Sequence, residues 1–301
     1  MSTPPSPQGE LSAVGFHGGE LAVQRRAGVT ALAARLSGML APAELRGGIV
    51  RFLADRTFAA VTARDRAGRL WISPLAGPPG FLSAADPTTL RIHALPATGD
   101  PLHDLAANQP IGLLVIDFAV RRRIRINGHL SAVDRTGLSV AVEQAYGNCP
   151  QYIQQRRLVP AHPGGHPAEP VRQATVLTAD DWDLIRRADT LLVGTTHPTR
   201  GNDASHRGGP PGFVRVEHDH IWWPDYPGNN LFNSLGNLAI DATAALLFAD
   251  YGTGRTLHLS GTAAVDWTDT TTPADEGGTG RRIRFTSRYL AAGHLLPLRP
   301  S

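Results

Sequence analysis

Lysine is absent from this chain of 301 residues, and all 29 of its basic residues are arginine. That absence excludes Schiff-base catalysis, a pyridoxal-phosphate lysine and a Walker-A phosphate loop. Any phosphate held here must be gripped by arginine, backbone N–H groups, amides or hydroxyls. Cysteine occurs once, as Cys149, which excludes an internal disulfide and any cysteine-rich zinc or iron–sulfur centre. A reducing, cytoplasmic setting fits that usage. Long apolar runs are also missing. Ile111–Val120 is among the longest, is interrupted by Asp117 and is too short for a bilayer. Residues Met1 to Glu10 are polar and hold three prolines, with neither the basic nor the apolar region of a secretory leader. The expectation is a cytoplasmic protein with no membrane partner.

An excess of one charge is lacking as well. The balance of 29 basic to 26 acidic residues gives +3, too mild to argue for nucleic acid despite a sequence pI near 9.5. With 42% hydrophobic and 18% charged residues, the chain can bury real cores, and its length suits two domains.

What is present is a repeat. Gly77-Pro78-Pro79-Gly80-Phe81 returns as Gly209-Pro210-Pro211-Gly212-Phe213. Leu113–Phe118 returns as Leu246–Tyr251, and Asn127-Gly128-His129-Leu130 as Ser260-Gly261-Thr262-Ala263. Blocks matched in one order and one frame point to a tandem duplication. Pro42 suits a first helical position, followed by an apolar face of Leu45, Ile49, Phe52 and Leu53. Thr178 can cap a helix, with Asp181 three residues on. Each helix leads into short strand-like runs broken by Gly, Pro and Asp. These are Thr57–Thr62, Leu70–Ser73, Leu90–His93, Ile111–Phe118, Ile124–Val133 and Leu138–Val142 in the first copy. The second has Thr190–Thr196, Phe213–Glu217, Ile221–Trp223, Ala244–Ala249, Thr256–Trp267 and Arg282–Thr286. The expected class is mainly β, with few helices and two small barrels. The expected division is a mobile tail over 1–20, a first barrel with N-terminal helices over 21–158, a linker over 159–170 and a second barrel over 171–301.

The stretch from Asp203 to Trp267 resembles the pyridoxamine 5'-phosphate oxidase-like, FMN-binding split-barrel family. Asp203-Ala204-Ser205-His206-Arg207-Gly208-Gly209 carries the resemblance, with Pro227-Gly228-Asn229-Asn230-Leu231-Phe232-Asn233-Ser234-Leu235-Gly236-Asn237 and Leu257–Trp267. The first copy is similar to the same family through Gly68–Ser73, Asn108–Leu114, Arg122–Gly128 and Tyr146–Ile153. The resemblance implies two tandem split β-barrels packed as an intrachain pseudo-dimer, with homo-dimerisation optional. It also implies one FMN at their interface and electron or hydride transfer to a small-molecule substrate. FAD and a deazaflavin are cofactor alternatives. The functional alternative is a non-catalytic flavin- or haem-binding carrier on the same barrel.

By the resemblance, Ser205, Arg207, Asn229, Asn230, Asn233 and Ser234 hold the flavin phosphate. The family often has Arg-Lys where this chain has Asn229-Asn230, which lowers the charge available. At the matching first-copy positions stand Ser73, Leu75, Asp100 and Pro101. Leucine and proline lack a suitable donor and aspartate repels a dianion, so the first half-site reads as degenerate. On the strand Arg122–Ile126, period 2 places Arg123, Arg125 and Asn127 on one face, whereas Thr256 and His258 match the two arginines in the second copy. That face offers Arg123 and Arg125 to the flavin or an acidic substrate. Trp222 and Trp223 alternate faces, and Trp223 is assigned to the flavin. His218-Asp219-His220 reads as a hairpin rather than a metal site, His17-Gly18-Gly19-Glu20 as an idle tail cluster, and Cys149 as a packed thiol. No catalytic residue is assigned.

Overall fold

The stretch Ile111–Ile116 does not alternate with polar residues because both faces of its strand are covered. The protein is described by a computed structural model over residues 15–41, 44–161, 170–217, 220–268 and 277–301. Helices α1 (Gly18–Arg26), α2 (Thr30–Ala34) and α3 (Gly48–Ala54) precede the first sheet. That sheet contains β1 (Phe58–Arg64), β2 (Leu70–Ala76), β3 (Leu82–Asp86), β4 (Thr89–Ile92), β5 (Gln109–Asp117), β6 (Arg122–Asp134) and β7 (Gly137–Asn148), in the order β2-β1-β5-β6-β7-β4-β3. After β8 (Leu158–Pro160), β9 (Arg172–Ala174) and α4 (Ala179–Arg187) comes the second set. It holds β10 (Thr190–His197), β11 (Gly201–Gly208), β12 (Arg215–Glu217), β13 (His220–Pro224), α5 (Asn233–Leu238), β14 (Thr243–Ala249), β15 (Thr256–Trp267) and β16 (Arg281–Gly293). Its order, β11-β10-β14-β15-β16-β13-β12, repeats the first strand for strand. The chain is two tandem split β-barrels. Among the described residues no helix is long and apolar enough to cross a membrane.

The repeated sequence blocks have physical causes. In each Gly-Pro-Pro-Gly-Phe block a tight turn closes by a Phe N–H to Pro carbonyl bond, 3.0 Å from Phe81 to Pro78 and 2.9 Å from Phe213 to Pro210. Proline fills its second position and a glycine with positive φ its third, at +92° for Gly80 and +85° for Gly212. The Asn127-Gly128 and Ser260-Gly261 blocks are β-bulges at matching points of β6 and β15. A Cβ on Gly128 would strike the Ala141 carbonyl, and one on Gly261 the Thr286 carbonyl. Only glycine fits there.

Each barrel has its own core. Val61, Trp71, Leu113, Val115, Ile126 and Val140 belong to the first, and Leu191, Val193, Phe213, Leu246, Phe248 and Phe285 to the second. The alternate residues of the same strands point outward and meet. Phe58, Ala60, Leu114 and Ile116 pack with Leu192, Ala204, Ala245 and Leu247 in one buried cluster shared by both copies. This third core makes the chain a pseudo-dimer. Beside it, β17 (Leu298–Pro300) pairs with β8.

Three sequence expectations change. Helix α3 starts at Gly48, since Leu45 N–H bonds to the Pro87 carbonyl and Gly47 takes a φ of +53°; Pro42 lies outside the described residues. The linker expected over 159–170 begins as strand β8, and 162–169 lie outside the described residues. The tail expected over 1–20 ends in α1, which packs on α5 of the second barrel, with Val23 in the second core. Residues 1–14 lie outside the described residues.

His17-Gly18-Gly19-Glu20 is therefore the start of a helix. His17 accepts from Gly19 N–H at 3.2 Å, and Glu20 accepts from His17 N–H at 2.9 Å, a capping box. A Cβ on Gly19 would strike the Gly236 carbonyl, so bare glycines allow the two helices to touch. Glu20 is buried and accepts from Asn233 of α5. Burial, far more than the Asp203 charge, raises its carboxyl to about 7, although the hydrogen bonds from His17 and Asn233 and the Arg200 charge oppose the rise.

A native pKa above the unfolded value means that the protonated form is favoured on folding. The stabilising contribution of Glu20 is complete below pH 4.5 and is lost as pH rises to about 7. Relative to the parent, Glu20→Gln is expected to gain stability as pH rises through that window. Urea midpoints of the pair at several pH values check it, and a constant difference would count against it. At the shared core, Leu114→Ala and its twin Leu247→Ala are each expected to cost about 2–5 kcal/mol. At exposed Val176, alanine should cost less than about 0.5 kcal/mol. Urea unfolding free energies give both.

Candidate functional site

The barrels meet through polar side chains where β11 crosses β6. On β11, Asp203, Ser205 and Arg207 alternate; on β6, Arg123, Arg125 and Asn127 do the same. Arg125 donates to both carboxylate oxygens of Asp203, at 3.1 and 3.0 Å, and both residues are buried. Asn127 Nδ2 lies 3.5 Å from Asp203 Oδ1, and Ser234 Oγ lies 3.0 Å from Asp203 Oδ2 and 3.1 Å from Ser205 Oγ. Burial works against the Arg125 charge, but Asp203 and Tyr146 together outweigh it and the net shift is upward. Arg125 is a strut between barrels, neutralised where it stands.

Arg123 and Arg207 have no such partner. Among the described residues neither lies within salt-bridge distance of a carboxylate, and the Nε of each is buried without a hydrogen-bond partner. Arg123 donates to His206 Nδ1 at 2.8 Å and to the His206 carbonyl at 3.2 Å, and Arg207 reaches only that carbonyl, at 3.4 Å. Burial, then the Arg125 and Arg207 charges, lowers the Arg123 guanidinium to about 9; burial also lowers Arg207. Burial and the surrounding arginines push His206 well below the usual imidazole value, so it stays neutral. Asp225 on the same wall opposes the lowering of Arg207 but is itself paired with Arg281 at 2.8 Å, so two like charges remain near one another and can accept an anion between them.

Both arginines line a cavity of about 80 Å³. Such a space takes several waters or one phosphate group, not a whole tricyclic cofactor. Its walls include Asn148, Asn229, Asn230, Asn233 and Ser234, with Tyr152 and Tyr226 stacked at 4.8 Å between ring centres. Asn229 Nδ2 donates to Asn148 Oδ1 at 3.2 Å, leaving Asn148 Nδ2 buried without a partner. Asn230 and Phe232 hold positive φ, 59° and 62°, a backbone cost borne at the cavity wall. The donors present (guanidinium, amide and hydroxyl) suit phosphate oxygens.

Of the expected site residues, Arg207, Asn229, Asn230, Asn233, Ser234, Arg123 and Arg125 line this cavity together. Ser205 lies behind it, bonded to Ser234. Trp223 is displaced from the assigned place: it is 1% exposed inside the second barrel's core, because its position on β13 points it inward against Ile283 and its neighbours. Trp222 instead donates to Glu217 at 2.6 Å. Sequence reasoning missed the functions of Asp203, His206 and Asn148, and the contact of Glu20 with Asn233. For Glu20, a signal existed in the three-residue spacing from the cap His17.

The twin position is built differently. Leu75, where Arg207 would be, is 1% exposed in the first core. Ser73 donates to buried Asp100, whose other oxygen lies 3.8 Å from His258 Nε2, and His258 Nδ1 lies 3.0 Å from the Ile72 carbonyl. Burial raises Asp100 and lowers His258. A wider cleft of about 580 Å³ adjoins it. There Arg69 is already paired with Asp65 at 2.7 Å, and Asp104 adds negative charge.

No family model matches the chain, and no curated protein does. Solved structures similar to it include HupZ of Group A Streptococcus, at 12% identity and a TM-score of 0.32, over 42% of this chain and 99% of that one. A putative pyridoxamine 5'-phosphate oxidase from Lactobacillus delbrueckii is similar over 38% of this chain and 92% of its own, at 15% identity and a TM-score of 0.31. HutZ, a haem storage protein from Vibrio cholerae, is similar over 38% and 93%, at 8% identity and a TM-score of 0.30.

Proposed function

We propose that the chain is an FMN-dependent oxidoreductase that holds one flavin per chain by its phosphate, between the two barrels. The carrying observation is the pair Arg123 and Arg207, one cation from each barrel, at a common cavity whose carboxylate, Asp225, is already held by Arg281 at 2.8 Å. With Arg125 neutralised by Asp203, the two remaining charges balance a phosphomonoester dianion. With room for one phosphate group, this favours FMN, which concentrates both charges on a single terminal phosphate, over FAD or a deazaflavin, whose phosphates are bridged on both sides and carry one charge each. The family resemblance of Asp203–Trp267 supports the same reading. Haem, the alternative, is disfavoured because no histidine is among the described residues lining the cavity.

Bound there, a flavin supplies reversible hydride or electron transfer. The protein's own part is binding and placement. Arg207 and Arg123 would grip the phosphate, Asn148 Nδ2 and Asn229 would add amide contacts, and Asp203 would hold Arg125 and Ser234 in register. Because one chain closes the site, a single chain suffices, and homo-dimerisation is not required.

The purified chain is expected to show a flavin spectrum and, in native mass spectrometry, one chain with one FMN. Losing the charge-assisted phosphate contacts costs about 2–3 kcal/mol, so riboflavin should bind roughly 30- to 150-fold more weakly than FMN. Arg207→Ala should strip the flavin, and Leu75→Ala should leave the flavin-to-protein ratio of the folded chain unchanged. Absorbance after desalting reads all of these. A Soret band, equal affinity for FMN and riboflavin, or equal depletion by both substitutions would overturn the reading.

A further inference from the structure

Cys149, the chain's single cysteine, is exposed rather than packed as its sequence setting suggests, because it follows the end of β7 at the rim of the cavity that Arg123 and Arg207 line. Its position follows from register: Asn148 sits opposite Arg123 on the paired strands β6 and β7, and Cys149 is the next residue. The thiol lies 3.9 Å from Gln151 Oε1 on the cavity wall. A thiol alone is no site. The independent observation beside it is the pair of guanidinium groups, each with a buried Nε lacking a partner and neither within salt-bridge distance of a carboxylate among the described residues, the cavity's Asp225 being held by Arg281 at 2.8 Å. An anionic molecule drawn to those charges brings its reactive centre next to Sγ. We propose that Cys149 is a thiol–disulfide exchange site for small anionic disulfides, and that its modification empties the phosphate cavity.

The step balances without a further reactant. The Cys149 thiolate, its proton released to solvent, attacks one sulfur of the disulfide. A new S–S bond forms to Cys149 as the reagent's own S–S bond breaks, and the second half leaves as a thiolate with the electron pair. Cys149 is oxidised and the departing sulfur reduced, and a free thiol reverses the exchange. The retained half places its carboxylates on Arg123 and Arg207, where a phosphate would otherwise lie. This inference rests on the cavity being a phosphate site, and it adds control of that site by the thiol pool.

The test uses the full chain with two disulfides of opposite charge, anionic glutathione disulfide and cationic cystamine, and follows mixed-disulfide formation by intact mass. Glutathione disulfide is expected to react about tenfold faster at low salt, with the advantage shrinking as salt rises. Inorganic phosphate and FMN should each slow that reaction and leave cystamine unaffected. Glutathione disulfide should release FMN from the parent chain and none from Cys149→Ser. Equal rates for the two reagents, or a mixed disulfide that leaves FMN in place, would overturn the proposal. If the chain binds no FMN, the cofactor reading fails, whereas charge preference and protection by inorganic phosphate still decide the role of Cys149.

Discussion

Asp203 is one carboxylate among three arginines, and the arginine it takes decides what the interface can do. It is fully engaged by Arg125 through both oxygens, with Asn127 and Ser234 completing its shell. Withdrawing both ions from water costs about as much as their attraction returns, so a pair of this kind is weak as a source of stability. Its consequence is geometric. It fixes β6 of one barrel against β11 of the other, and it leaves Arg123 and Arg207 without a carboxylate in salt-bridge contact, the nearby Asp225 being held by Arg281. The anion cavity is what remains once Asp203 has been used.

That arrangement exists because each barrel exposes a second apolar face. Leu114 and Ile116 on β5, like Ala245 and Leu247 on β14, would lie in water without a partner barrel. Duplication supplies the partner covalently, at a high local concentration. Within one chain the two halves no longer have to be identical, and they are not. Both keep a basic side chain from a long strand facing a carboxylate of the other copy: Arg125 with Asp203, and His258 with Asp100. In the twin half the carboxylate comes from a loop, the basic group is a histidine whose charge burial disfavours, and Leu75 stands where the second arginine would be. The apolar contact is held to two-fold symmetry by packing, whereas the polar positions were free to diverge.

The same distinction explains what could be read from the sequence. The duplication, most strands and the Thr178 cap are legible because turn chemistry and steric bulges leave residue-specific marks, such as Gly-Pro-Pro-Gly-Phe and the bulge glycines. The cationic face of Arg123, Arg125 and Asn127 follows from period 2 alone. Strand β11 is not legible as a strand, since Gly201–Gly208 carries Asn, Asp, Ser, His and Arg, all chosen for the interface rather than for an oily core. Helix α1 is hidden for a related reason: its contact with α5 runs through two glycines and a buried glutamate, none of which registers as an apolar stripe. Trp223 was beyond period 2 because alternation separates Trp222 from Trp223 without saying which side faces inward.

The site is also built almost wholly from residues far apart in the chain. Its hydrogen bonds join residues 78 apart for Arg125 and Asp203, 83 for Arg123 and His206, 81 for Asn148 and Asn229, and 213 for Glu20 and Asn233. None of these can form inside one barrel, so the cavity exists only when the barrels are docked and α1 is seated. Docking, however, brings Arg123 and Arg207 together against their mutual repulsion, so the empty interface works partly against itself. An anion that binds only the docked state removes that repulsion and stabilises docking by mass action. For such an anion, binding and cohesion of the two halves would be one equilibrium, linked through the pair of arginines that Asp203 leaves without a salt bridge.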